Sequence, residues 1–138
     1  MRVLLMIVLV GACGGGGTPT STATTCPDPD PGTLTYENFG MQFMTDYCIA
    51  CHDSALTRSQ RNGAPLFHDF DTLLGVLEVT GHIDQQAGSG PNADNRFMPP
   101  SQCPTTPGGA LDTRCAQPSE EERQKLAEWI ACEVIRPH

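Results

Sequence analysis

Apolar residues recur at helical spacing in two parts of the chain. The first face contains Gly40, Met44, Tyr47, Cys48 and Cys51. The second contains Leu126, Trp129, Ile130 and Val134. Apolar positions three or four residues apart are typical of amphipathic helices, so each stripe predicts a helix that buries one face in the core.

Local signals place the remaining elements. Ser119 followed three residues later by Glu122 is a capping box, and it predicts the start of the C-terminal helix. A middle helix is expected to start near Asp71 and to bury its leucines, Leu73, Leu74 and Leu77. The polar stretch 81–95 is rich in Gly and Asn and predicts a loop. The expected fold is therefore mainly α, a single domain of three to four helices.

The N-terminus has the pattern of an export signal. Met1 and Arg2 precede an apolar run over residues 3–10, which ends in Gly11-Ala12-Cys13. Small residues before a cysteine resemble the lipobox of bacterial lipoproteins, in which that cysteine is lipidated after cleavage. Eight apolar residues are too few to cross a bilayer, which takes about 20. We expect a signal peptide over residues 1–12 and a lipid on Cys13; an ordinary secretory signal is the alternative.

Low-complexity sequence follows this cysteine. Residues 14–25 are almost entirely Gly, Thr, Ser and Pro and offer little to bury. Residues 13–33 are thus expected to form a lipid anchor with a flexible linker, and residues 34–138 the folded domain. On this interpretation the protein is tethered to a membrane of the bacterial cell envelope and faces the periplasm or the outside.

Charge excludes one class of partner. The formal net charge is −8, and Lys125 is the only lysine among 138 residues. Binding to phosphate backbones depends on clustered Lys and Arg, so nucleic acid is not expected as a partner. An acidic chain instead favours basic protein surfaces.

The cysteines carry the main chemical signal. With Cys13 assigned to lipid, six of the seven cysteines remain. Cys48-Ile49-Ala50-Cys51-His52 is the C-x-x-C-H motif of covalent haem attachment. Two thiols at this spacing on a helix face one edge of the ring and can add across its vinyl groups, while the adjacent His52 supplies an axial nitrogen to the iron. We therefore expect one haem c with its iron.

Two structural alternatives exist for this motif. A redox dithiol would be expected within a βαβ pattern, which is not evident here. A zinc site would need a second ligand pair at short spacing, and His68 and His82, fourteen residues apart, do not provide one.

Met98 is the expected sixth ligand of the iron. Met1 and Met6 belong to the signal, and Met41 and Met44 belong to the helix that carries the attachment motif. Met98 lies in Arg96-Phe97-Met98-Pro99-Pro100, where two prolines forbid a helix and fix an extended turn. The alternative is bis-histidine ligation through His68 or His82.

These motifs together resemble the class I c-type cytochromes, over residues 36–136. The resemblance implies a cytochrome c-like domain with its helices packed around haem. It implies that Gly40 permits a close crossing with the C-terminal helix, against Trp129, and that a carbonyl at Pro65 accepts the His52 Nδ1–H. One departure is Met44, where the family has an aromatic residue.

Four further cysteines are unassigned, namely Cys26, Cys103, Cys115 and Cys132. In an oxidising compartment they predict two disulfides, for which three pairings are possible. We favour Cys103–Cys115, which closes the loop after Met98, and Cys26–Cys132, which ties the linker to the last helix.

The expected function is outer-sphere electron transfer between redox partner proteins, with no small-molecule substrate and no catalytic group. A haem-based gas sensor or a peroxidase-like enzyme with an open sixth position is one alternative. A non-haem envelope lipoprotein stabilised by disulfides is the other.

Overall fold

A computed structural model of the chain describes residues 18–138. The expected signal peptide and Cys13 lie outside these residues. The elements are a π-helical turn Tyr36–Gly40, α1 Met41–Tyr47, α2 Ile49–His52, a 3-10 turn Arg58–Arg61, α3 Leu73–Leu77, α4 Thr80–Ala87, β1 Gln102–Pro104, β2 Leu111–Arg114 and α5 Glu120–Glu133. No helix in residues 18–138 is long and apolar enough to cross a membrane.

The architecture is mixed rather than a helical bundle. Residues 18–138 contain five α-helices and one two-stranded sheet, and about 39% of these residues are helical. β1 and β2 pair antiparallel, with Cys103 opposite Thr113. The prediction of three to four helices alone missed this hairpin, because its residues are rich in Pro, Gly and Thr and lack an alternating apolar pattern.

The helix predicted through the C-x-x-C-H motif is interrupted. Cys48, at the junction of α1 and α2, has φ −122° and ψ −43°, which is outside helical geometry. Its N–H still donates to the carbonyl of Met44 at 2.9 Å. The motif therefore begins at the junction with Cys48 and continues through α2, a separate short helix.

Gly40 lies against the indole of Trp129. A Cβ on Gly40 would be 2.2 Å from Trp129 Cζ2, so only hydrogen fits at this crossing of the π-helical turn and α5. Trp129 is fully buried, and its Nε1–H donates to Glu133 at 2.9 Å. The surrounding core consists of Phe43, Met44, Phe70, Val76, Ile83, Ala87, Leu126, Trp129 and Ile130.

The capping box at the start of α5 is confirmed. Ser119 Oγ accepts from the Glu122 N–H, and Glu122 accepts from the Ser119 N–H. These reciprocal bonds satisfy backbone donors that the first turn leaves free.

The middle of the chain differs from its prediction in two places. Residues 81–87, part of the stretch expected as loop, belong to α4, because Ile83 and Ala87 are four residues apart and both are buried. Leu74, expected in the core, is 71% exposed, while Gly75 and Val76 of α3 are buried instead. Two apolar residues in eight gave too sparse a stripe to predict α4.

Part of the expected linker contacts the domain. Thr22 is buried, and its Oγ1 donates to Asp84 Oδ1 at 2.6 Å. The Asn95 side chain donates to the carbonyl of Thr20 at 2.7 Å, and Cys26 forms a disulfide with Cys132. The chain is thus held against α4 and α5 well before residue 33.

Candidate functional site

One cavity brings together most of the residues singled out in the sequence. Its volume is about 480 Å³ and its surface is mostly apolar. Cys48, Cys51, His52, Pro65 and Met98 all line it. A largely apolar cleft of this size with a few converging polar groups is the usual form of a small-molecule or cofactor site.

The two thiols of the motif are free, whereas the other four cysteines of residues 18–138 are paired. The disulfides are Cys26–Cys132 and Cys103–Cys115, the pairing that we favoured. Burial raises the pKa of the Cys48 thiol to about 12, and burial also raises the pKa of the Cys51 thiol. Both sulfurs are therefore protonated at neutral pH.

His52 is fixed through one ring nitrogen. Its Nδ1 lies 3.1 Å from the carbonyl oxygen of His68, and its ring stacks on Phe70 with the centroids 4.4 Å apart. The carbonyl of His52 in turn accepts from the Phe70 N–H at 2.7 Å. Burial lowers the pKa of His52 to about 4, so the ring is neutral at pH 7, with Nε2 left for a ligand.

The carbonyl that receives His52 belongs to His68 and not to Pro65. Pro65 is exposed and lies on the cavity lining, three residues earlier in the chain. Phe67 adopts a positive φ of 66°, which turns the chain immediately before His68. The resemblance supplied the type of hydrogen bond correctly but the wrong residue, because a backbone acceptor is set by the path of the loop.

Arg61 supports the same carbonyl from the other side. This arginine is only 2% exposed, and its Nη2 donates to the His68 oxygen at 2.8 Å. Its Nη1 donates to the Asp53 carbonyl at 3.2 Å and to an Asp69 carboxylate oxygen at 2.7 Å. Arg61 therefore bridges the two chain segments that hold the imidazole.

Met98 is held through its backbone. Its N–H donates to the carbonyl of Gln86 at 2.9 Å, and its carbonyl accepts from Arg123 Nη1 at 2.9 Å. The side chain lies on the cavity lining but is 40% exposed. The thioether is thus available to a group in the cavity without being packed in the core.

Arg123 organises the segment around Met98. It is 1% exposed, and Nη1 also donates to the carbonyls of Ala87 at 2.9 Å and Asn95 at 3.0 Å. Burial lowers the pKa of Arg123, with the nearby charge of Arg96 acting in the same direction. Arg96 itself lies outside this core and pairs with Asp94 and Glu120 at the surface.

Sequence reasoning did not single out Arg61 or Arg123. Arginine is mostly exposed in proteins, and neither residue belongs to a recognisable motif. A helical projection offers one signal for Arg123, since it precedes Leu126 by three residues and therefore lies beside the buried face of α5.

His68 and His82 also line the cavity. The two rings are 5.3 Å apart between centroids, and His68 is 6.2 Å from the ring of His52. Burial lowers the pKa of His68, as does the charge of His82. Three of the four histidines in the sequence thus meet at one cavity.

The cavity wall carries donors of three chemical kinds that could hold a cofactor or a metal ion. The cavity wall offers two thiols for covalent attachment, one neutral imidazole with a free nitrogen, and a thioether. A separate cluster of Cys26, Asp30 and Cys132 has the spacing of metal ligands, but its two sulfurs form a disulfide and are not thiolates.

Comparison of this chain with known protein families, with curated proteins and with solved structures finds no match in any of the three.

Proposed function

We propose that the protein is a monohaem c-type cytochrome that carries single electrons between partner proteins. In this proposal Cys48 and Cys51 attach the haem, His52 binds the iron through Nε2, and Met98 supplies the sixth ligand. The single observation that carries the proposal is the meeting of two free thiols, a neutral imidazole and a thioether on one apolar cavity.

The raised pKa values of the two thiols argue against the redox-dithiol alternative. A dithiol that exchanges with other proteins depends on a thiolate and commonly has a lowered pKa. Here burial raises the pKa of both Cys48 and Cys51. Thiols of this kind are poorly suited to thiol–disulfide exchange.

The haem would supply an iron that gains and loses one electron. The role of the polypeptide is to hold the imidazole of His52. The His68 carbonyl does so by accepting the His52 Nδ1–H. Such an acceptor fixes ring orientation and increases the basicity of the ligating nitrogen. Arg61 donates to the same carbonyl and so limits how strongly that oxygen can accept from His52.

The net charge of the protein and its proposed membrane anchor indicate the kind of redox partner. A net charge of −8 favours a redox partner with a basic docking surface. The proposed lipid on Cys13 would keep this encounter at the cell envelope. If electrostatic attraction guides docking, the rate of electron transfer to the partner falls as salt is added; a rate independent of salt would refute this part of the proposal.

The decisive experiment is a mass measurement of the protein, expressed with its full signal and with haem-attachment machinery. We expect one haem per chain that denaturation does not release. The double variant Cys48→Ser/Cys51→Ser should lose it entirely. The matched control is Cys103→Ser/Cys115→Ser, which also removes two sulfurs but should retain haem. A mature chain whose mass is accounted for by lipid and amino acids alone would overturn the proposal.

The exposure of Met98 favours one second candidate. A thioether that is 40% exposed could be displaced from iron more easily than a buried one. The site would then act as a gas sensor or a peroxidase-like centre, both of which need an open sixth position. Titration of the reduced protein with carbon monoxide separates the two: rapid binding at neutral pH supports the second candidate, and no binding supports electron transfer.

A further inference from the structure

Two histidine nitrogens face each other beside the cavity. His82 Nδ1 lies 3.4 Å from His68 Nε2. His82 is on α4 and is exposed, while His68 follows the Phe67 turn and is partly exposed. The fourteen-residue spacing along the chain gave no reason to pair these histidines, but two separate elements of the fold bring their nitrogens together at a position that solvent reaches.

The separation allows a long hydrogen bond between the two rings, and it also matches the spacing of two nitrogens that share a metal ion. Hydrogen bonds to nitrogen donors are usually 2.7–3.2 Å long, so 3.4 Å is long for a direct bond between the rings. Zinc binds histidine nitrogen at about 2.0–2.1 Å in tetrahedral geometry, which places two ligand nitrogens about 3.3–3.4 Å apart. The observed distance of 3.4 Å between the two histidine nitrogens matches this spacing of ligand nitrogens.

Among the described residues, each of the two imidazoles bonds only to the other, so a metal ion would displace a single long hydrogen bond. His52 and Arg61 contact the backbone oxygen of His68, and neither of these bonds uses its imidazole. His82 is exposed on α4, so water can complete the coordination sphere of a bound ion. The nearest alternative, Cys26 with Cys132, has its sulfurs in a disulfide.

We propose that His68 Nε2 and His82 Nδ1 form a binding site for a divalent transition-metal ion such as zinc, with water as the remaining ligands. The site is distinct from the four donors assigned to haem and does not depend on haem attachment. A cation held there would lie beside the cavity, since both histidines line it.

The test is a zinc titration of the purified full-length protein by calorimetry at pH 7. We expect one bound zinc per chain. Loss of an outer partner of a metal ligand commonly weakens binding 10–100-fold, so loss of a ligand itself should weaken it by about tenfold or more. His68→Ala and His82→Ala should each have this effect. His138→Ala is the matched control, because His138 lies at the C-terminus and contacts Glu133.

A second readout identifies the ligands directly. Copper(II) in place of zinc should give an electron paramagnetic resonance spectrum with two coupled nitrogens, reduced to one in either variant. Circular dichroism of each variant checks that the fold is kept. Zinc affinity unchanged in both histidine variants would overturn the proposal. So would a change in the haem spectrum of His68→Ala or His82→Ala without added metal, because that result assigns the ring to the haem iron.

Discussion

Two buried arginines hold the two sides of the cavity in different ways. Arg61, on the His52 side, bonds to two backbone carbonyls and also to the Asp69 carboxylate, so its charge is paired. Arg123, on the Met98 side, bonds to three backbone carbonyls and to the side-chain oxygen of Gln117. In both arginines Nε is buried without a hydrogen-bond partner among the described residues.

The difference between the two arginines shows which side of the cavity depends on a single side chain. On the His52 side, the His68 carbonyl has two donors, so it keeps one if the other is lost. On the Met98 side, one guanidinium nitrogen joins the end of α4, at Ala87, to two positions of the loop that follows, Asn95 and Met98. We infer that the imidazole is held redundantly, whereas the methionine segment depends largely on Arg123.

The largest effect is expected from Arg123→Met. The variant leaves several buried carbonyls without donors, each costing about 1–3 kcal/mol, offset in part by the removal of a buried charge. We expect the free energy of unfolding to fall by about 4 kcal/mol, measured by urea denaturation. Arg96→Met is the control, since Arg96 makes only surface ion pairs, which contribute up to about 1 kcal/mol. Equal losses in the two variants would contradict the inference.

Opening the hairpin disulfide should act on the Met98 side alone. Cys103 and Cys115 are twelve residues apart, and closing a loop of this length stabilises a protein by about 3 kcal/mol. In Cys103→Ser/Cys115→Ser, hydrogen exchange should speed up at the amides of Met98 and Cys115 and stay unchanged at Phe70, whose N–H bonds to His52. Faster exchange at Phe70 would show that the two sides are not independent.

Arg61→Met should have a smaller effect than Arg123→Met. The His68 carbonyl keeps His52 as a donor, and the Asp69 side chain is 27% exposed and can be hydrated. We expect a loss of about 2–3 kcal/mol in the free energy of unfolding. Arg58→Met, an exposed arginine of the same 3-10 turn, serves as control and should change stability by less than about 0.5 kcal/mol. If Arg61→Met lowered the free energy of unfolding as much as Arg123→Met, the inferred difference between the two sides of the cavity would be wrong.

The smallest expected effect is a pH dependence on the His52 side. In the haem-free polypeptide, burial lowers the pKa of His52 to about 4 from its ordinary 6.5. Between these pH values the unfolded chain binds a proton that the folded chain does not, so the free energy of unfolding decreases as the pH falls. We expect a loss of about 2 kcal/mol from pH 7 to pH 5. His52→Gln should reduce this slope; an unchanged slope would assign it to other groups.

The sequence predicts those parts of the fold that depend on spacing. The two stripes of apolar residues predict α1 and α5, and the capping box at Ser119 is a local pattern; the Gly40–Trp129 contact was implied by the resemblance and not by spacing. Spacing fails where burial involves few apolar residues: α4 buries only Ile83 and Ala87 among its eight residues, and the β1–β2 hairpin has no apolar alternation.

The candidate site is predictable to a similar extent. Cysteine, histidine and methionine side chains occur here in short motifs, which is why Cys48, Cys51, His52 and Met98 could be named together; all four line one cavity. The identity of a supporting carbonyl depends on loop conformation, so Pro65 was named where His68 acts. The carbonyl partners of a buried arginine leave no pattern in the sequence: the position of Arg123 beside Leu126 predicts that it is buried but not which carbonyls it bonds to.

The high pKa of the motif thiols has a consequence for oxidative folding. Six cysteines can be joined in three pairs in fifteen ways, and exchange between pairs requires an ionised sulfur as the attacking group. Once the cavity wall has formed, burial raises the pKa of Cys48 and of Cys51, which disfavours their attack on the bonds that the other four have made. The fold thereby separates four cysteines in disulfides from two thiols that burial keeps protonated.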